Sequence, residues 1–390
     1  MPRLYLGAKP PSQIVIFEET NAHIVVDLIP KNLSYTIFHT SPVEINLSIR
    51  TFLKFITNLK YFNFKFLFQK THSLFYGLFW QLKMIYIKSD IDLRHPKAIM
   101  TFIDNSPQFA WLSTNFKDVP CIAIQNGFRL AYCAENESRY HCQHLFCFGK
   151  QQTESFPKLG YKVNHFYPVG SLNLSHNFDI KLSKAKPVYD FLVISCWRGN
   201  IGDSLDVIDS MRAMGKMDEV FSEYLKTKKF RAAVLLRSER DSEDWIMNLT
   251  GMSEEDYYKS VYGSSIEIIE TNFSQRNVYP TMQLSDVIIA GASTTCIVEA
   301  FAMGKKVLYV NFCDSDKYHV DFDAEIVFTG KIGDDNKRLW QRLDYLQKIP
   351  TQDYQVKNNE LMDYYVRKPT NLSTREEIKS KTSSIIGLKL

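Results

Sequence analysis

The stretch SDVIIAGASTTCIVEAFAMGKKVLYVNF, Ser285–Phe312, decides the fold. It opens with an apolar strand (Asp286–Ala290) and turns through small residues. A helix follows over Thr295–Met303, stops at Gly304, and gives way to a second strand over Lys306–Val310. Strand, helix and strand in so short a run make one unit of a parallel sheet, because a parallel pairing needs a crossover. Gly291 is expected to let the backbone turn tightly at the strand end. Ser293 or Thr294 is expected to cap the helix, and Gly304 to close it at C′. The helix start offers free N–H groups and the positive end of a dipole to an anion. Ser293, Thr294 and Thr295 add three hydroxyls. Glu299 shares a helix face with Thr295 and is placed to accept from ribose hydroxyls. A well-capped βαβ unit with no ligand shows the same pattern. The sequence has no GxGxxG and no GxxxxGK[ST], which disfavours a dinucleotide site or a P-loop.

Working outward, short apolar runs alternate with helical ones. Strands are expected at Ile14–Phe17, Tyr35–His39, Ala98–Asp104, Cys121–Gln125, Leu145–Phe148 and Val163–Val169. A second series follows at Asp190–Ser195, Ala232–Leu236, Ile266–Glu270 and the two strands already named. Helices are expected at Ile45–Asn58, Leu74–Lys88, Pro107–Thr114, Val207–Lys226, Glu254–Tyr262, Leu339–Lys348 and Arg375–Ile386. This rhythm predicts α/β architecture: two doubly wound, Rossmann-like domains facing across a cleft. The expected boundaries are an N-terminal domain over 1–172, a polar linker over 173–187, a C-terminal domain over 188–370 and a helical tail over 371–390.

Composition agrees. At roughly 150 residues per domain, 390 residues suggest two domains. An apolar fraction of 45% with 23% charged residues excludes whole-chain disorder. A net charge of +4, from 47 basic and 43 acidic residues, does not argue for nucleic acid. The 7 cysteines begin only at Cys121, a poor disulfide framework that fits a reducing cytoplasm. The N-terminus shows no secretory h-region, and no uncharged apolar run approaches the ~18–20 residues of a membrane span. Between Arg50 and Lys88, however, seven basic residues interleave with aromatics and no acid occurs. Solvated core helices fit this pattern, and so does peripheral contact with an anionic membrane.

Ser285–Phe312 resembles the nucleotide-sugar half of GT-B glycosyltransferases, and also the matching part of wall-polymer glycerophosphotransferases and sugar-nucleotide 2-epimerases. PKAIMTFIDNSPQFAWLSTNFKDVPCIAIQNGFR (Pro96–Arg129), HLFCFG (His144–Gly149) and YPVGSLN (Tyr167–Asn173) resemble bacterial surface-carbohydrate biosynthesis proteins. Some of those act as Kdo transferases in lipopolysaccharide or capsule synthesis. The resemblance implies a metal-independent, GT-B-like glycosyltransferase with no cofactor. Its donor would be a nucleotide sugar, CMP- or UDP-linked, and its acceptor a lipid-linked or polymeric surface glycan. The expected place is the cytoplasm, peripheral on the inner face of the cell membrane. The alternatives are an epimerase or glycerophosphotransferase on the same scaffold, or a non-catalytic part of a polysaccharide assembly complex.

The residues themselves suggest roles. Asp104 ends a strand, where open α/β sheets bind ligands; it reads as a catalytic base or nucleophile, or as the cap of the helix at Pro107. Asn105, Gln125 and Asn126 would border the acceptor side. Arg237 follows a strand and suits bidentate binding of phosphate or carboxylate. Trp197 and Arg198 lie in the loop after the first strand of the second domain. Trp197 reads either as a stacking platform for the donor or as a packed core residue. Gln275, Arg276 and Tyr279 are candidates to close the donor pocket. The Cys133, His141, Cys142, His144 and Cys147 group lacks the paired spacing of a zinc site, and no metal is expected.

Overall fold

The computed structural model describes residues 3–5, 10–40, 44–46, 48–64, 74–129, 140–178, 186–199, 205–248, 250–272, 277–291, 294–312, 323–331, 333, 336–368 and 372–388. Two compact units emerge from its contacts. Unit 1 comprises Met1–Asn126, Glu137–Leu172 and Pro369–Leu390, and unit 2 comprises Gly127–Asn136 and Asn173–Lys368.

In unit 1, β1 (Arg3–Tyr5) pairs in parallel with β4 (Glu44–Asn46). The main sheet uses β2 (Ile14–Phe17), β3 (Tyr35–Phe38), β5 (Ala98–Thr101), β6 (Cys121–Ile124), β7 (His141–Cys147) and β8 (Lys162–Pro168). They lie in the order β3-β2-β5-β6-β7-β8, all parallel. Strands β2, β5 and β6 are buried along their whole length, as parallel strands covered on both faces must be. The helices are α1 (Ala22–Val26), α2 (Ile49–Asn58), α3 (Leu74–Asp92), α4 (Pro107–Asn115) and α5 (Lys150–Lys158). Ser106 caps α4 by accepting from Phe109 N–H at 3.3 Å, with Pro107 just inside. Asp104, the sequence-based alternative for that cap, does not serve it.

After its Gly127–Asn136 segment, unit 2 resumes within α6 (Leu172–Phe178), inside the stretch expected as a linker; residues 179–185 of that stretch lie outside the described residues. Its sheet takes the order β11-β10-β9-β12-β13-β14. The strands are β9 (Tyr189–Ile194), β10 (Ala232–Leu235), β11 (Glu267–Ile269), β12 (Ser285–Ala290), β13 (Lys306–Asn311) and β14 (Val327–Thr329). All pairings are parallel. The sheet therefore grows outward from β9 in one direction and then, from β12, in the other. The helices are α7 (Leu205–Thr227), α8 (Glu254–Tyr262), α9 (Val278–Gln283), α10 (Thr295–Ala302), α11 (Lys337–Lys348) and α12 (Thr351–Tyr365). Helix α10 ends as its sequence predicts: Gly304 has φ +79°, its N–H reaches Phe301 O, and Lys305 N–H reaches Ala300 O.

The final helix α13 (Thr374–Ile385), in the stretch expected as a helical tail, belongs to unit 1. Thr374 Oγ1 donates to Val169 O at 2.8 Å, and Ile378 enters the core formed by β2, β5 and β6. The two doubly wound units answer the fold class expected from the sequence.

Candidate functional site

Ligands of open parallel sheets bind beyond the strand C-termini, where the strand order reverses. In unit 2 that point lies between β9 and β12. A cavity of about 540 Å³ opens there, within the ~300–1,000 Å³ range of small-molecule sites. Ser195 after β9, Arg237 and Ser238 after β10, Thr271 after β11, and Thr294 and Cys296 at the start of α10 line it, with Ser242, Glu243 and Asp244 along one side.

Arg237 follows β10 and lines the cavity. Its guanidinium donates to Trp197 O and sits 3.6 Å from the Asp244 carboxylate. Burial, followed by the nearby Arg198 charge, lowers its pKa. A cation kept partly out of water beside another cation gains from an incoming anion. Thr294 caps α10 by accepting from Cys296 N–H at 3.3 Å. Ser293 lies outside the described residues, as do Gln275 and Arg276.

Several expectations change. Trp197 is wholly buried; its indole N–H donates to Asp244 O at 3.0 Å and its ring packs 5.3 Å from that of Tyr257. It is a core residue and offers no face to a donor. Arg198 is exposed and does not line the cavity. Glu299 is buried and accepts from Tyr279 OH at 3.0 Å, away from the cavity lining. Thr295 Oγ1 accepts from Phe128 N–H at 2.9 Å, so that hydroxyl serves the protein. Gly291 has no left-handed backbone; a Cβ there would fall 2.8 Å from Met217 Cε and 3.3 Å from Met214 Cα. Its role is to admit α7 close to the end of β12.

Composition and spacing gave no sign of the residue that organises the cavity floor. Glu254, the first residue of α8, is fully buried. It accepts from Ser195 OH, from Arg237 N–H at 2.7 Å and from Ser238 N–H at 2.9 Å. One carboxylate thus joins the ends of β9 and β10. Burial raises its pKa against these hydrogen bonds. The adjoining loop is equally close-packed, because a Cβ on Gly199 would collide with the carbonyl oxygen of Asp244.

Unit 1 has its own reversal point, between β2 and β5. Glu18 follows β2 there. It is a non-glycine residue at φ +76°, buried, and its Oε1 accepts from Ser106 OH at 2.8 Å. Its Oε2 is buried with no hydrogen-bond partner. Burial pushes its pKa up to about 7, against the lowering effect of Ser106. Backbone strain and perturbed carboxyls are both features that cluster at functional sites. The strand pattern of IVIFEE placed β2 but gave no sign of this environment.

Asp104 is buried, and its Oδ1 accepts from Asn126 N–H at 3.2 Å. Gln125 is also buried; its N–H donates to Phe146 O at 2.9 Å and its Oε1 accepts from Phe148 N–H at 3.0 Å. Asn105 and Asn126 are half-buried. The structure brings Asp104 and Asn126 together and commits Gln125 to holding β6 beside β7. In β7, burial pushes the Cys142 and Cys147 thiols up to about 12, as for small apolar core residues; Cys133 lies outside the described residues. Among the described residues, no three His, Cys, Asp or Glu side chains are grouped to hold a metal ion.

No family profile matches the sequence, and no curated protein matches it. Solved structures do resemble it. One is the wall teichoic acid polymerase TagF, 12% identical at a TM-score of 0.47, covering 96% of this chain and 88% of that chain. Another is the UDP-GlcNAc 2-epimerase of Neisseria meningitidis bound to UDP-GlcNAc, 12% identical at 0.49, with coverage of 99% and 100%. A third is MurG of Acinetobacter baumannii, 10% identical at 0.47, with coverage of 96% and 100%.

Proposed function

We propose that the protein is a glycosyltransferase that moves a sugar from a CMP- or UDP-linked donor to a lipid-linked or polymeric surface glycan of the lipopolysaccharide or capsule kind. The observation that carries this reading is the unit 2 cavity. Its walls combine a partly desolvated guanidinium, several hydroxyls and the start of α10 at a sheet reversal point. That is a surface for an anion with a polar body attached, which describes an activated sugar.

In this reading the donor phosphate lies against Arg237 and Thr294, and Ser195, Ser238 and Thr271 take the sugar or ribose hydroxyls. The acceptor hydroxyl oxygen forms a bond to the anomeric carbon, the bond from that carbon to the phosphate oxygen breaks, and the nucleotide leaves with the electron pair. The acceptor proton passes to a general base; within unit 1 the Glu18 carboxylate, whose pKa of about 7 suits a base near neutrality, is the candidate for that role. Asp104 holds the turn at Asn126 in place. Arg237 and the helix dipole carry the charge of the leaving phosphate, so neither a metal nor a cofactor is required. An acceptor carried on lipid keeps the enzyme peripheral, at the cytoplasmic face of a membrane.

A thermal-shift panel of nucleotides and nucleotide sugars tests the reading, because a ligand that binds the folded state raises the melting temperature by mass action. At least one nucleotide sugar is expected to stabilise the protein, and Arg237→Ala to weaken its binding by about 1–3 kcal/mol. If no nucleotide sugar stabilises the protein, the donor site is wrong. Product analysis with a labelled donor separates transfer from epimerisation, since only transfer attaches the label to the acceptor.

A further inference from the structure

Helix α2 is oriented contrary to an ordinary surface helix. Its polar residues Thr51 and Asn58 are 0% and 3% exposed, whereas Ile49 is 78% and Phe52 61% exposed. Ile49, Phe52, Leu53 and Ile56 fall at the spacing of one helical stripe, and all four stay in solvent.

Polar contacts on the inner side fix that orientation. Asn58 Nδ2 donates to Ser89 Oγ and to Asp92 Oδ2, each at 3.0 Å. Lys88 and Lys54 stand 3.1 and 3.6 Å from Asp92 Oδ2. Gln81 holds the chain beyond α2 by accepting from Asn63 N–H at 2.7 Å and donating to Asn63 O at 3.0 Å. Helix α3 packs on α2, and its own first turns leave Leu74, Phe75 and Phe79 in solvent, with Phe75 81% exposed.

An apolar surface of this extent marks a contact with another phase or partner, and charge identifies which. From Ile45 to Ser89 the sequence contains no Asp or Glu, while Arg50 and Lys60 are exposed beside the stripe. Two copies of this face pressed together would set like charges against one another. An anionic bilayer offers hydrocarbon to the stripe and phosphate to the cations. No helix among the described residues is long and apolar enough to cross a membrane, so the contact is interfacial.

We infer that α2 and the first turns of α3 form a docking face that lies in the headgroup layer of an anionic bilayer. This goes beyond the transferase reading and does not depend on it, since a binding protein of the same fold would dock in the same way.

The test is sedimentation of the full chain with vesicles of phosphatidylcholine, alone or with about three parts in ten phosphatidylglycerol. The protein is expected to pellet with the anionic vesicles and to remain largely free with the neutral ones. Phe52→Glu combined with Phe75→Glu is expected to cut binding by about tenfold or more. Arg50→Gln combined with Lys60→Gln is expected to cut it by a similar factor on anionic vesicles alone. All four side chains are exposed, so an unchanged melting temperature verifies the fold. An unchanged shift with a nucleotide sugar shows that the donor site is intact, which keeps this test separate from that of the transferase. Equal binding to both vesicle types, no binding to either, or undiminished binding of the Phe variant overturns the proposal. So does a lipid-free dimer that the Phe variant converts to monomer.

Discussion

Glu18→Gln is expected to give a protein that is more stable than the wild type above neutral pH and slower in transfer by about 10²–10⁴-fold, the usual loss when a general base is removed. The amide keeps an oxygen to accept from Ser106 OH, so the shape of the site survives while the base is gone. The two effects together separate function from structure. A residue kept only for packing would lose stability on substitution and leave turnover alone. This one occupies a left-handed backbone conformation with a buried, unpartnered carboxyl oxygen, which stabilises nothing.

The pH dependence has a definite sign. Burial raises the pKa of Glu18 in the folded protein to about 7 from the ordinary carboxyl value of 4.5. Between those values the unfolded chain releases the proton and the folded chain keeps it, so stability falls as pH rises and levels off above 7. The Gln variant lacks this loss. Its advantage should be near zero at low pH, grow through the interval and reach about 3 kcal/mol above it. Asp218, buried beneath Tyr257 and Tyr262 and also raised to about 7, contributes with the same sign in both proteins and cancels from the difference. Denaturant melts of the two proteins at low, neutral and mildly alkaline pH measure it. Asp104→Asn, which keeps an acceptor for Asn126 N–H, is expected to retain most of its turnover. If instead Asp104→Asn is inactive and Glu18→Gln is active, the base is Asp104, as its place at a strand end first suggested.

The contrast between those two carboxylates shows what a sequence discloses. Periodicity placed β2, β12 and α8 almost to the residue, because buried parallel strands are continuous apolar runs, and Thr294 and Gly304 mark the two ends of α10. Asp104 is a legible candidate because it ends an expected strand, where open α/β sheets bind ligands. Glu18 stands beside another Glu and looks like a solvated turn; only the folded chain shows it buried against Ser106, 88 residues away. Trp197 illustrates the converse. A Trp beside Arg and Gly suggests a ligand platform, yet the partner that fixes it, Asp244 O, lies 47 residues on. Local chemistry was legible throughout; the pairings that assign it are long-range.

Glu254→Ala is the substitution expected to cost most stability. Three donors converge on this carboxylate, and all lose their partner at once: the Ser195 hydroxyl and the backbone N–H groups of Arg237 and Ser238. Ser195 and Ser238 are themselves buried. Buried groups left unpaired cost about 1–3 kcal/mol each. Because these three share one acceptor and relax together, the sum should be nearer 3–5 kcal/mol than the full total. In a unit of this size that lowers a melting transition by roughly 10 °C. The loss should fall on the unit 2 transition and leave that of unit 1 in place, since every group involved belongs to unit 2. Donor-induced stabilisation should vanish with it, because Arg237 is held over the cavity by the same backbone that Glu254 anchors. Glu254→Gln tests the point further: its single carbonyl oxygen can satisfy some of the donors while its amide opposes the rest, so an intermediate loss is expected. A Glu254→Ala protein that melts with the wild type and still responds to a nucleotide sugar would show that the strand ends hold themselves.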